Sequence, residues 1–412
     1  MPGKRGIARY YAAMTDFELA SPPPGFVDDP YPWYARLREE DPVHRFADGG
    51  VFLTRYADAV EVYRDSARAS SDKKVEFRPK FGDSPLYEHH TTSLVFNDPP
   101  LHTRVRRLIM GALDQRAIAR MEPDVVRLVD ALLERIAELR EFDFIAEFAA
   151  KIPVEVIGNL LAVPHADRGP LRGWSLAILG ALEPAPTPEM LERGNRAVRE
   201  FLAYLEALVA ERRRHPGDPA TDVLTRLVQG EADGERLAER ELYHQCIFLL
   251  NAGHETTTNL LGNGLWLLLE HPQELARLAA EPSLLATAIE EMLRYEGPIQ
   301  LNNRRLVAPM EVGGTRLEAG TSITIGIGAA NRDPRQFPEP ERFDVGRRPN
   351  RHLAFGHGDH ACSGMNVARM EARVAFSRLL ARFPRIALAG EPERDPRIRF
   401  RGFRRLPVRV GR

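Results

Sequence analysis

The ten residues Phe355-Gly356-His357-Gly358-Asp359-His360-Ala361-Cys362-Ser363-Gly364 constrain this chain more than any other stretch. Glycines at 356, 358 and 364 allow sharp turns and close backbone approach to a flat ligand. From Met365 to about Phe383, Val367, Met370, Val374, Leu379 and Leu380 recur near helical spacing. Cys362 therefore sits just ahead of a helix N-terminus, where free N–H groups and the positive end of the dipole favour a thiolate. His360 and Phe355 offer a donor and an aromatic face beside it. The loop is built for a metal ligand, and zinc does not fit it, because a zinc site takes about four ligands and the chain has no CxxC pair. The other thiol, Cys246, reads as a core residue.

With 412 residues, 43% of them hydrophobic, the chain can bury a large core. A formal net charge of -1 gives no sign of a nucleic-acid partner or an acidic membrane surface. Two cysteines in this length exclude a disulfide scaffold and suit a reducing compartment. The first thirty residues hold no apolar run long enough for a signal or anchor, and Leu265–Leu269 is too short to span a bilayer. These features predict a cytoplasmic protein that engages neither membrane nor nucleic acid.

The pattern predicts a mainly α fold with small β-sheets, made of an N-terminal arm over 1–30, loosely held, and a single domain over 31–412. Helices are expected over 31–40, 56–65, 171–182, 189–213, 238–270 and 284–295. Asp48-Gly49-Gly50 marks a hairpin between 43–46 and 51–53. Short strands are expected at 304–307, 310–312, 322–325, near 386–388 and over 399–408. Residues 66–97 lack a clear period and read as a long loop with His89-His90 exposed; residues 331–350 read as an irregular meander.

The loop resembles the haem-binding signature of the cytochrome P450 family, Phe-Gly-x-Gly-x-His-x-Cys-x-Gly, with every fixed position met. The resemblance implies heme b, iron protoporphyrin IX, with the Cys362 thiolate as axial iron ligand and Phe355 beside it. Ala252-Gly253-His254-Glu255-Thr256-Thr257 is similar to the family's oxygen-activation motif. Ala252 would then lie against the haem, Thr256 would donate a hydrogen bond to dioxygen, and Glu255 would link to the proton supply. On spacing, Phe248, Asn251, Ala252, Glu255, Thr256 and Asn259 share one helix face, and Gly253 opens it to a flat ligand. A zinc-protease reading of His254-Glu255 fails, because position 258 is Thr.

His102 and Arg106 resemble the family's His-x-x-x-Arg propionate clamp, with Arg304 and His360 completing the set; strand alternation lets only one of Arg304 and Arg305 face the haem. Glu291-Met292-Leu293-Arg294 resembles the Glu-x-x-Arg motif, with Arg342 expected as its third member. The family implies a monooxygenase acting on a small-molecule organic substrate with dioxygen, fed by a ferredoxin and ferredoxin reductase, since the chain carries no flavin or iron–sulfur motif. A peroxygenase of the same fold and a non-catalytic haem sensor or carrier are the alternatives; neither needs Glu255-Thr256. The substrate pocket is expected between the 70–97 loop, the 175–190 region, Phe248 and Asn251, and 300–302. Asn251, Gln300 and Asn302 are expected to place amides near that cavity, where burial without partners is costly, and so to favour a substrate with a carbonyl, hydroxyl or carboxyl group.

Overall fold

The computed structural model describes residues 16–219, 222–232 and 235–411. Its N-terminal part carries α1 (Tyr31–Glu40), α2 (Tyr56–Arg64), α3 (Lys74–Phe81), α4 (Pro85–Thr92) and α5 (Leu101–Ala112). The central part holds α6 (Gln115–Leu139), α7 (Lys151–Leu160), α8 (Leu171–Gly180), α9 (Pro188–Arg214), α10 (Val223–Gln229) and α11 (Glu239–Glu270). Helices α12 (Pro272–Ala280), α13 (Leu285–Tyr295), α14 (Ile327–Ala330) and α15 (Met365–Arg382) follow. The architecture is mainly α with small sheets.

Helix α11 runs through the core because it is apolar nearly all round; Leu242, Ile247, Leu250, Leu261, Leu265 and Leu268 lie on several faces and all are buried. It packs against α7, α8, α13 and α15. Helix α6 is amphipathic instead. Val125, Val129, Leu132, Leu133 and Ile136 form its buried stripe, and α15 packs against it. Asp114 caps α6 by accepting from Ala117 N at 2.7 Å.

Strands β1 (Val43–Arg45), β2 (Val51–Leu53), β3 (Ala69–Ser70), β4 (Glu141–Asp143), β5 (Glu231–Ala232) and β6 (Glu235–Arg236) are short, as are β7 (Leu301–Leu306), β8 (Met310–Val312), β9 (Thr315–Leu317) and β10 (Ser322–Gly326). At the C-terminal end lie β11 (Ala387–Leu388), β12 (Glu393–Arg394), β13 (Phe403–Arg405) and β14 (Pro407–Arg409). The largest sheet has the order β1-β2-β10-β7-β3, with β10 parallel to β2 and antiparallel to β7. It lies beside the helical body and carries Arg304 on β7.

Three expectations fail here, the third at the Glu291–Arg294 pair. The 66–97 stretch is not a loop: it holds β3, α3 and α4. Helix α4 is announced locally by Ser84-Pro85, a capping serine that accepts from Tyr87 N at 3.2 Å followed by proline in the first turn. Periodicity does not reveal it because α4 packs more than one face, so His89 and His90 are buried rather than exposed. The described part of the N-terminal arm is not loosely held either. Phe17, Leu19 and Phe26 are buried with Tyr34, Phe52 and Leu301 in a cluster of their own.

The Glu291–Arg294 pair is fully buried, with Arg294 Nε donating to Glu291 Oε2 at 2.7 Å. Its third member is Arg347, whose Nε donates to Glu291 Oε1 at 3.0 Å; Arg342 instead points outward to Glu339 and contributes only its carbonyl oxygen. The local sequence offers several arginines, and the path of the meander decides which returns to Glu291. Glu291→Ala, which strands a buried guanidinium, is expected to destabilise the protein by about 3–5 kcal/mol, whereas Arg342→Ala is expected to stay within about 0.5 kcal/mol. Chemical denaturation of the two variants checks this.

Candidate active site

The Cys362 loop is held by its own backbone. Gly356 N donates to Leu353 O at 2.8 Å, Ala361 N to Gly358 O at 3.0 Å, and Cys362 N to Phe355 O at 2.8 Å. Gly356 and Gly358 have φ of 68° and 71°, the left-handed region. A Cβ on Gly358 would also meet Tyr63 O at 2.4 Å, so α2 packs directly on the loop. Burial pushes the Cys362 thiol up, opposed by the Gly364 N–H, Arg106 and Arg369. The helix N-terminus alone therefore does not secure a thiolate here; a metal held by this sulfur would supply the missing stabilisation, since a coordinating thiol is deprotonated outright. Cys246 is wholly buried in apolar surroundings that push its thiol up to about 12, as a core residue should be.

Donors gather beside the loop. His102 and Arg106 lie one turn apart on α5, and the His102 and His360 rings are 4.0 Å apart between centroids. Arg106 Nη1 donates to Ser363 Oγ at 3.0 Å and Nη2 to Ala361 O at 2.7 Å, tying α5 to the cysteine loop. His102 Nε2 is buried without a partner. Arg304 is 5% exposed, lies 5.2 Å from the Tyr63 ring and donates from Nη1 to Asn303 O at 2.8 Å without bordering the cavity, while Arg305 is half-buried. Burial pushes His360 down to about 2, with Arg304, His102, Arg106 and Lys73 all adding repulsion. Asp98 lies 4.0 Å from His360 Nε2, and Asp359 acts with it on His102. The N–H donors of Arg106 and the two imidazoles suit a ligand that carries carboxylates.

A largely apolar cavity of about 320 Å³ separates this loop from α11. Cys362, Phe355, His360, His102 and Arg106 border it on one side, and Ala252 and Thr256 on the other. Ala252 is exposed to the cavity although its helix crosses the core. A Cβ on Gly364 would meet nothing within 4 Å. The open space at Ala252 and Gly364, the orphaned His102 nitrogen and the N–H donors of Arg106 together fit a flat haem with its carboxylates.

The α11 face divides in two. Phe248, Asn251, Ala252 and Thr256 line the cavity. Thr256 Oγ1 donates to Ala252 O at 2.8 Å. Glu255 is buried but turned aside to accept from Arg397 and, at 3.3 Å, from Asn259 Nδ2. Arg397 also pairs with Asp395 at 3.0 Å. Gly253 does not serve ligand approach alone: a Cβ there would meet Ile157 Cδ1 at 2.5 Å, so glycine lets α7 pack against α11. Gln300 is also turned away from the cavity, its Nε2 donating to Gly297 O at 2.8 Å, because β7 begins only at Leu301 and position 300 does not follow the strand alternation. Asn302 does line the cavity and bonds Tyr63 Oη at 3.1 Å.

Local pattern does not mark Arg397, His89, His90 or Glu371 as part of the site. The first three reach their neighbours across more than a hundred residues or from a helix that periodicity does not reveal. Burial pushes the cavity-lining Glu371 carboxyl up to about 8, opposed by a hydrogen bond from Thr257.

The family model of cytochrome P450 matches residues 181–408. Cytochrome P450 107B1 of Saccharopolyspora erythraea is 39% identical over 94% of this chain and 96% of its own length. The cytochrome P450 monooxygenase PikC of Streptomyces venezuelae is 38% identical over 93% of this chain and 92% of its own. The crystal structure of CalO2 superposes with a TM-score of 0.89 at 33% identity, covering 96% of this chain and 99% of that one. No helix among the described residues is long and apolar enough to cross a membrane. The chain thus belongs to the cytochrome P450 family and is a haem-dependent monooxygenase, an oxidoreductase that uses dioxygen and electrons from redox partner proteins to oxidise a small organic substrate.

Proposed function

We propose that the haem is heme b, that Cys362 is its one protein ligand to iron, and that His102, Arg106, Arg304 and His360 hold its propionates, with Ala252 and Phe355 against its faces. The observation that carries this reading is the facing of Cys362 and Thr256 across one largely apolar cavity bordered by His102, Arg106 and His360. Bound haem supplies the redox chemistry, its thiolate ligand favouring O–O cleavage. One oxygen atom enters the substrate; the other leaves as water with two protons and two electrons.

The chain's own task is to deliver those protons where bulk water is excluded. The Thr256 hydroxyl donates to Ala252 O and keeps acceptor capacity toward the cavity. Glu255 faces away, so a proton reaches Thr256 from it only after the carboxyl leaves Arg397 and turns about the helix. Residues 31–412 act as one haem-binding unit, and the electron donors are a ferredoxin and its reductase. A cytoplasmic location is supported by two cysteines, one of them at the cavity and the other in the core.

Reduced protein with carbon monoxide is expected to show the spectrum of a thiolate-bound haem. Cys362→Ser should lose it and Cys246→Ser should keep it; the opposite result would overturn the ligand assignment.

Thr256→Ala should still bind haem and substrate but divert reducing equivalents into hydrogen peroxide. Glu255→Gln should slow turnover by about a hundredfold, the low end for loss of a positioned acid. Unchanged coupling of electrons to product in Thr256→Ala rules the relay out.

A further inference from the structure

Helices α4 and α11 form a polar corner in the cavity wall. His89 and His90 on α4 are each 2% exposed and border the cavity together with Asn251 of α11, which is 4% exposed. The surrounding wall is apolar, with Leu94, Phe96, Leu179, Leu182 and Phe248. Asn251 Oδ1 and His90 Nε2 are buried without a hydrogen-bond partner. Leaving a buried amide oxygen without a partner is unfavourable, and a bound donor recovers that cost.

The contacts around His89 favour one orientation of the Asn251 amide. Ser93 Oγ donates to His89 O at 2.6 Å, so its one proton is committed. At 3.5 Å from His89 Nδ1, Ser93 Oγ then acts as acceptor, which puts the imidazole proton on Nδ1. His89 Nε2 is left as an acceptor and takes the Asn251 Nδ2–H at 3.4 Å. The opposite amide orientation would face two acceptors toward each other. His89 thereby fixes Asn251 with its carbonyl oxygen unpaired.

An anionic substrate group has weaker support. Arg399 borders the cavity, but its nitrogens already donate to Leu182 O, Leu301 O and Asn303 Oδ1, and Glu183 accepts from the Arg399 backbone N–H. Burial, with Lys80, His244 and Arg399 nearby, pushes His90 down to about 3, so this imidazole is neutral.

We propose that Asn251 Oδ1, oriented by His89, is the substrate anchor, and that the substrate is an apolar molecule bearing a hydrogen-bond donor, a hydroxyl in the first instance. Asn251 stands five residues before Thr256, about 7.5 Å along the helix axis. The anchored hydroxyl is therefore remote from the oxidised carbon, and the anchor selects the site of oxidation by distance. His90 supplies a second neutral polar position beside it. This assignment rests on the monooxygenase reading above.

The test is spectral titration of the haem-loaded protein with decanol, decyl methyl ether, decane and decanoate, checked by equilibrium dialysis. Decanol should bind about tenfold more tightly than the ether, which lacks the donor. Asn251→Leu should bring that ratio to about one while leaving ether and decane affinities in place. His89→Phe, which keeps Asn251 but removes its orienting partner, should give an intermediate ratio. Equal binding of decanol and ether by the wild type would overturn the proposal, as would a decanol preference that survives Asn251→Leu. Preferential binding of decanoate, unaffected by Asn251→Leu, would assign the anchor to Arg399 and overturn it too. Each variant is first shown to give the thiolate-haem carbon monoxide spectrum. Loss of that spectrum in the wild type marks failure of the monooxygenase reading, and lost discrimination in its presence marks failure of the anchor.

Discussion

The active-site scaffold depends on a charge pair taken entirely out of water. Arg294 and Glu291 have no solvent contact, so every lone pair and proton on them must find a partner in the protein. They find these in the meander. Arg294 donates to Asn331 O and Pro340 O, Arg347 donates to Glu291, and Asn350 Nδ2 donates to Glu291 Oε2 at 3.1 Å. Asn331 in turn accepts from Leu353 N at 2.7 Å, three residues before Gly356. An irregular segment with little regular structure is thus pinned to α13 by hydrogen bonds to charged groups. The cysteine loop begins where that pinning ends.

On this base the protein sets two environments side by side. The rim near α5 and β7 gathers Arg106, Arg304 and two imidazoles with little water, and burial first, neighbouring cations second, depresses His360. The wall formed by α11, α4 and α8 is apolar, apart from a corner where Asn251 and His90 each keep an unpaired atom. Both features are unfavourable in the protein alone and become favourable with a ligand of opposite character. A dianionic planar group answers the first, and a donor on an apolar body answers the second. The same reasoning separates Glu255 from Thr256: a carboxylate in a dry wall is stabilised by Arg397, so it is stored off the cavity rather than in it.

Elements with strong local signals are legible in the chain's own pattern. The period of the 239–270 and 365–382 helices, the Asp48-Gly49-Gly50 turn and the meander's composition each report on the residues that carry them. The cysteine loop is legible for the same reason, since its glycines and its cysteine act within ten consecutive positions. Helix α4 is not, because a short helix buried on several sides has no polar stripe to set its period; only its Ser84-Pro85 start gives it away.

The sequence by itself determined a cysteine at a helix start, a threonine beside an acid on a long buried helix, and basic residues at helical and strand spacing. Those are local facts of spacing and side-chain type. Tertiary structure decided which atoms meet. Arg347 rather than Arg342 reaches Glu291, Arg397 takes Glu255 out of the cavity, and Gln300 turns aside while Asn251 remains. Such choices depend on the path of distant backbone. A single residue's displacement in a meander or strand start changes which side chain faces inward, and no local pattern encodes it.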